Sequence, residues 1–258
     1  MEKILVVGGE GTGGNAWACI EDMRLRCGRQ WQVEGFLNDP LYGEGGRLIR
    51  GLPVMGRLDD APRFAREGYR FAFAVHPVGH GRLKEEAFGR MGVPLESLVT
   101  VVHPMAFMAP GVELGPGVVL SPGCCLMAGV KIGACSFVGT NVSFGHDVET
   151  GSFCHFSNGA VVSSYARIGK GCDVCLNATV LDMAVMGDFA LLGSGSLLKG
   201  NAEEGGVYVG VPARLSKKVE DLPAYRLNPS EEANRRNCSG LRSHGRPARP
   251  SSPRKAAG

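Results

Sequence analysis

Aromatic side chains are scarce, at 7% of 258 residues with two tryptophans. A wide core filled by large rings is therefore excluded for most of the chain. Long apolar runs are also missing. None approaches the roughly 20 residues that cross a bilayer as a helix, so no membrane span is expected. Strong net charge is lacking too: the chain carries +3, from 28 Lys/Arg against 25 Asp/Glu. That balance is uneven. From Arg226 onward there are eight Lys/Arg and two Asp/Glu, a surplus of six, which leaves −3 for the preceding 225 residues. The body of the chain has no footprint for nucleic acid. Residues 226–258 are rich in Arg, Pro, Ser and Gly, bury too little apolar surface to fold, and are expected to form a disordered basic tail. Met1–Val7 is too short and too soon followed by glycines for a signal peptide, so a cytoplasmic location is expected.

What the chain has in abundance is glycine (39 residues) and a six-residue repeat. Blocks counted from Met108 open on Met108, Leu114, Leu120, Leu126, Ile132, Val138, Phe144, Thr150, Phe156, Val162, Ile168, Val174, Val180, Met186, Leu192 and Leu198. All but Thr150 are large and apolar. The fifth position is small or β-branched throughout, from Val112 to Ser196, and the second is often glycine, as at Gly115, Gly133, Gly145 and Gly193. A fixed period of six predicts a parallel β-helix, with three blocks closing a coil of eighteen residues. First and fifth positions point inward, and the second-position glycines are expected to give each corner its backbone freedom. A 3.6-residue helical period is absent. Cys124, Cys154 and Cys172 fall on the inward fifth position, where a thiol acts as a small hydrophobe. Cys172 and Cys175 have C-x-x-C spacing but lie on different faces of a coil, a weak redox or zinc signal.

Ahead of the repeat the pattern is α/β. Lys3–Val7 reads as a buried strand, Asn15–Cys27 as a helix, Gln32–Leu37 as a second strand, Asp59–Glu67 as a helix, Arg70–Val75 as a third strand, Gly81–Met91 as a helix and Leu98–Val102 as a short strand. Gly9, Gly11 and Gly14 fit G-x-G-x-x-G between the first strand and helix, where backbone N–H groups approach a phosphate. Asn38-Asp39 closes the second strand, where an acidic residue often binds a ribose. This spacing does not choose among nucleotides, and a tight turn without ligand is the plain alternative. After the repeat, Leu215–Leu227 reads as a short helix or tail.

The best candidate for chemistry is Gly145-His146-Asp147. His146 holds the third position of its block beside a corner, where an imidazole can take a proton from an attacking amine or hydroxyl. Asp147 is the neighbour that would orient it, and a surface histidine at a turn is the bland alternative. His155 lies half a coil further on, so it is not stacked on His146 within one chain, although it could meet a neighbouring subunit's His146 in a trimer. Ser164 and Asp182 follow His146 at intervals of eighteen, one coil apart on the same edge. A zinc site would need a third well-placed histidine beside His146 and His155.

Together, the Gly8–Gly14 turn, Phe36-Leu37-Asn38-Asp39, Gly145-His146-Asp147-Val148 with His155, Leu192-Gly-Ser-Gly-Ser196 and Gly206-Val-Tyr-Val-Gly-Val-Pro-Ala-Arg214 resemble the sialic acid O-acetyltransferase type of sugar acyltransferases, which includes amino-sugar N-acetyltransferases. The resemblance covers residues 1 to about 215. It implies a Rossmann-like nucleotide-sugar-binding domain over 1–102 and a left-handed β-helix over 103–215. It further implies an acetyl-CoA-dependent homotrimer with active sites between subunits. His146 would be the general base and Asp147 its companion. His155 would lie beside the thioester, the Ser164 amide would be the oxyanion donor, and Gly193 and Ser194 would line the pantetheine arm. A sugar nucleotide would sit on Gly9, Gly11, Gly14, Asn38 and Asp39. No metal is called for. A non-catalytic β-helix scaffold and a zinc hydratase-like enzyme are the competing expectations.

Overall fold

The computed structural model describes residues 1–39 and 47–223. The expected tail, 226–258, lies outside the described residues. Residues up to Pro223 form one compact unit.

The amino-terminal layer is a five-stranded sheet in the order β3-β4-β2-β1-β5, from β1 (Glu2–Val7), β2 (Trp31–Leu37), β3 (Leu48–Ile49), β4 (Leu52–Gly56) and β5 (Arg70–Phe73). β1 lies between β2 and the edge strand β5 and is parallel to both. Its Ile4–Val7 run is fully buried, as a strand covered on both faces requires. Ile4 and Val6 pack toward α1 (Thr12–Cys27) in a cluster with Ala16 and Ile20. Leu5 and Val7 pack on the other face with Phe64 of α2 (Ala61–Arg66) and Met91 of α3 (Gly81–Met91). The helix α1 starts three residues earlier than its pattern predicts, because Gly13 and Gly14 sit in its first turn. A Cβ on Gly13 would stand 3.1 Å from the Gly8 carbonyl carbon, so glycine here allows helix and strand to approach closely.

The repeat folds into stacked coils whose two-residue strands line up in three parallel sheets. Each strand pairs with the one eighteen residues later: Cys125 with Ser143, Lys131 with Glu149, Phe137 with His155. First- and fifth-position side chains fill the interior from Val118 to Leu198 in a single cluster. The first coil opens at Val101–Val102, so the expected strand at 98–102 is divided. Leu98 bridges to Phe71 of the amino-terminal sheet, and Val101 already pairs with Val119 of the solenoid. Val119 and Phe137 join the Ile4–Val6 cluster, while Cys135 and Phe153 pack on the Leu5–Val7 side, so the core runs through both layers. At the far end, where a short helix or tail is expected over 215–227, residues up to Lys218 form a strand and Val219–Asp221 a single 3-10 turn, while 224–227 lie outside the described residues. Ala213–Lys218 turns back antiparallel on Gly206–Gly210, whose Val207 and Tyr208 extend the third sheet beside Leu191 and Leu192.

The second-position glycines have a different role from the one expected. None has a positive φ. A Cβ on Gly133 would stand 2.3 Å from the Gly151 carbonyl carbon, and one on Gly145 would stand 2.6 Å from the Ser164 nitrogen. These glycines let backbone lie on backbone from coil to coil. The left-handed corner is the fourth position: Gly111, Gly117, Gly123 and Gly129 have φ of 73–81°, and Cys135, Asn141, Asp147, Phe153, Tyr165, Asn177, Met183 and Phe189 hold φ of 52–61° without being glycine. Each such non-glycine residue costs about 1–2 kcal/mol, least for Asn and Asp.

Candidate active site

The three corners differ in what replaces glycine. One corner carries Gly117, Cys135, Phe153, Gly171 and Phe189 and turns toward the amino-terminal layer, where Cys135 and Phe189 are buried. Another carries Gly123, Asn141, Gly159, Asn177 and Gly195, the residues that tolerate this conformation best. The remaining corner carries Gly111, Gly129, Asp147, Tyr165 and Met183. His146 stands on it, half exposed.

His146 Nδ1 lies 2.9 Å from Asp147 Oδ2, so the two adjacent residues do touch. A carboxylate on Nδ1 favours the tautomer that carries its proton there and leaves Nε2 free to accept one. Asp147 is fixed from three sides. Its amide donates to Ala128 O at 2.9 Å, its carbonyl accepts from Arg167 Nη1 at 2.6 Å, and its Oδ1 lies over Gly129, where a Cβ would come within 2.3 Å. Arg167 is itself held by Glu149 at 3.6 Å. The Tyr165 ring packs edge-on to the His146 imidazole, with centroids 4.8 Å apart.

Ser164 and Asp182 stand on the same edge, as their spacing predicts. The Ser164 amide donates to Asp182 Oδ1 at 3.0 Å, and Ser163 Oγ donates to the same oxygen. The pattern recurs at Thr140 with Asn158 and at Lys170 with Asp188: a side-chain oxygen one coil on caps a third-position amide. The oxyanion donor implied for Ser164 is thus engaged within the chain. Gly193 donates its amide to Tyr208 O at 2.8 Å, and Ser194 is exposed beside it, on the Asn141–Gly195 corner rather than the His146 corner.

His155 is placed elsewhere again. It is buried on the outer face of the third sheet, its ring stacked 5.9 Å from that of His76. His155 Nδ1 lies 3.5 Å from Asp173 Oδ1, beyond a good hydrogen bond. Asp173 is bound tightly by the amino-terminal layer: Lys84 Nζ of α3 lies 2.8 Å from Oδ1 and the Gly79 amide 2.9 Å from Oδ2. Lys84 and Asp173 are 0% and 2% exposed. Burial raises the Asp173 carboxyl, and Lys84 and His155 together outweigh it, holding the carboxyl below the usual range. Burial, with Lys84 and His155 beside it, holds the His76 imidazole well below its ordinary value; neither ring nitrogen has a hydrogen-bond partner. Nothing local in the sequence pairs Lys84 with Asp173, 89 residues apart. The one available signal is a carboxylate at an outward position flanked by Phe137, His155 and Leu191.

At the glycine turn, Gly8 has φ 145° and sits on the Ala74 carbonyl, while Thr12 Oγ1 donates to Ala74 O at 2.6 Å. Asn38 Nδ2 donates to Gly8 O at 3.1 Å, so Asn38 does meet the turn. Gly9 is half-buried, Gly11 exposed and Gly14 buried. Asp39 faces away: its Oδ1 accepts from the Leu58 amide at 2.8 Å and its Oδ2 from Arg90 Nη1 at 2.5 Å. Its carboxylate is committed to structure. Arg50 is the residue that sequence reasoning missed here. Its Nε is 2.9 Å from where a Gly14 Cβ would stand, and its Nη2 donates to Glu10 O at 3.3 Å. Among the described residues no group of three or more His, Cys, Asp or Glu is placed to hold a metal ion, and no helix is long and apolar enough to cross a membrane.

No protein-family model matches the chain. Solved structures do. PerB from Caulobacter crescentus, in complex with CoA and GDP-perosamine, is 23% identical, with 83% of this chain and 97% of that chain covered and a TM-score of 0.71. The acetyltransferase domain of PglB from Neisseria gonorrhoeae, in complex with acetyl coenzyme A, is 23% identical over 83% and 99% of the two chains, with a TM-score of 0.71. WeeI from Acinetobacter baumannii is 22% identical over 83% and 99%, with a TM-score of 0.68. The likeness spans both layers and nearly the whole of each neighbour, so this chain shares their fold: a mixed α/β layer continued by a parallel β-helix.

Proposed function

We propose that the chain is an acyltransferase that moves an acetyl group from acetyl-CoA to an amine or hydroxyl of a nucleotide-linked sugar. The observation that carries the reading is the exposed His146–Asp147 pair, 2.9 Å apart, on a β-helix corner. It is supported by the shared fold with PerB, which binds CoA and GDP-perosamine. The acceptor's amine or hydroxyl attacks the thioester carbonyl as His146 Nε2 takes its proton. The tetrahedral intermediate then collapses, and the imidazolium returns that proton to the departing thiolate. Asp147 holds the ring and balances its charge. The Ser164 amide serves the oxyanion once Asp182 gives way to it. His155 is left out of the acyl site, since it is buried beneath His76.

His146 and Ser194 lie on different corners, so one chain does not present both to a single thioester. A homotrimer that sets the His146 corner of one subunit against the Ser194 corner of the next brings them together, and this is the assembly we propose. The β-helix is left-handed in this reading, over 103–215. The layer over 1–102 is a Rossmann-like nucleotide-binding unit with its phosphate site on Gly9, Gly11 and Gly14 beside Asn38. The protein works in the cytoplasm.

The test is mass spectrometry of acetyl transfer from acetyl-CoA to a panel of nucleotide-linked amino sugars, wild type beside His146→Ala. Loss of the base is expected to cost about 10²–10⁴-fold in rate. An active His146→Ala variant refutes the mechanism. No product with any acceptor, and no binding of acetyl-CoA, refutes the function in favour of a non-catalytic scaffold.

A further inference from the structure

The apolar residues in left-handed corners fall into two groups. Cys135 and Phe189 are buried against the amino-terminal layer and Phe153 is packed half-buried on it, and this burial offsets their backbone strain. Tyr165 and Met183 hold the same conformation, φ 59° and 58°, while remaining 49% and 71% exposed. Packing within the described chain does not account for a tyrosine there, where glycine stands at Gly111 and Gly129 on the same corner. Strain that stability does not explain gathers at functional sites. What Tyr165 touches is His146. Its ring lies 4.8 Å from the imidazole, centroid to centroid, with the planes at 87°, and its amide donates to the His146 carbonyl at 3.1 Å.

We propose that Tyr165 is a positioning residue for His146. Asp147 Oδ2 fixes the imidazole at Nδ1, but a single hydrogen bond leaves the ring free to swing about that contact. The tyrosine ring, supplied by the next coil, closes the second side and holds Nε2 outward. An edge-on aromatic pair is a favoured geometry. Asp147 enters from the chain neighbour and Tyr165 from the coil above, so the imidazole is held in two directions by a backbone that does not itself bend. This inference rests on His146 being the base and adds to that reading.

The test compares Tyr165→Gly and Tyr165→Phe with the wild type, using the acceptor that the panel yields. Glycine removes the ring and relieves the corner, so the melting temperature should hold or rise. Against this, kcat should fall about three- to tenfold, the factor carried by an edge-on aromatic contact, with KM for acetyl-CoA within about twofold. Phenylalanine should restore kcat. In protein with labelled histidine, the His146 ring resonances should shift and average among orientations in Tyr165→Gly and remain single in Tyr165→Phe. Wild-type kcat and unchanged His146 resonances in Tyr165→Gly would overturn the proposal. So would a fall in kcat that tracks a fall in melting temperature and is not rescued by phenylalanine. If His146→Ala is active, the base reading fails, and the histidine spectra still decide whether Tyr165 orders the ring.

Discussion

Replacing Lys84 with methionine is the sharpest probe of how the two layers are joined. Lys84 is fully buried, and its ammonium is the one cation within 3 Å of Asp173 among the described residues. Methionine fills the same space without charge. It leaves Asp173 in the core with the Gly79 amide at 2.9 Å and His155 Nδ1 at 3.5 Å, too little to replace a buried cation. Removing one partner of a buried ion pair costs about 3–5 kcal/mol, because the other charge stays desolvated. For a domain of this size that lowers the melting temperature by about 6–20 °C. The pH dependence has a definite sign. With Lys84 present, the Asp173 carboxyl lies below its unfolded value, and the stability it contributes is lost only in strong acid. Without Lys84, burial dominates and the folded carboxyl rises above the unfolded value. The deficit is then full at neutral pH and shrinks as pH falls through that raised value. Urea titrations of Lys84→Met followed by circular dichroism at pH 7.5 and 5 measure both effects. Lys84→Met/Asp173→Asn, which removes both charges, should recover part of the loss. A cost below about 1 kcal/mol at pH 7.5, or a deficit that grows in acid, would refute the reasoning.

Other perturbations read different parts of the structure. His76 is kept neutral by burial, so the unfolded chain takes up its proton first below about pH 6.5, and about 1.4 kcal/mol of stability should be gone by pH 5.5. His76→Phe should flatten that acid slope, seen as a smaller change in urea midpoint between pH 7.5 and 5.5 than in wild type. Gly129→Ala strains a φ of 73° and drives a methyl to within 2.3 Å of Asp147 Oδ1. It should cost about 1–2 kcal/mol and reduce kcat without raising KM for acetyl-CoA. Gly133→Ala, with φ in the ordinary range but its Cβ 2.3 Å from the next coil's backbone, should destabilise more than Gly129→Ala by thermal denaturation, since backbone cannot step aside as a carboxylate can.

The solenoid was legible because its inward positions recur at a period no other fold shares, and Val118 to Leu198 do fill one interior. The reason given for its glycines was not, because a six-residue pattern shows where glycine recurs and is silent on whether φ or a neighbouring coil demands it. Gly133 answers to a neighbour, whereas Gly129 answers to φ and to Asp147. The pattern sets His146 and Asp147 side by side near a corner, but that they touch, at 2.9 Å, is known only from the structure, where Asp147 holds a φ of 58°. Asp39 and His155 were plausible ligand residues by type and place. Arg90 claims the first from 51 residues away, and His76 covers the second. Such pairings come from how one layer lands on the other, and no local spacing encodes them. The same holds for Arg50 over Gly14 and for Arg167 on the Asp147 carbonyl.

A stack of parallel coils offers its end to any further coil, and in principle two such molecules could join into a fibre. The strand Ala213–Lys218 works against that outcome on the third sheet. It is the last strand of that sheet, and it runs antiparallel to Gly206–Gly210. A newcomer in the direction of the existing coils cannot continue the parallel eighteen-residue stacking across it, and it meets the charges of Arg214, Lys217 and Lys218 on the last strand. The reversal that ends the repeat thus also limits polymerisation: the hairpin gives a periodic sequence, which has no intrinsic reason to stop, a definite last coil.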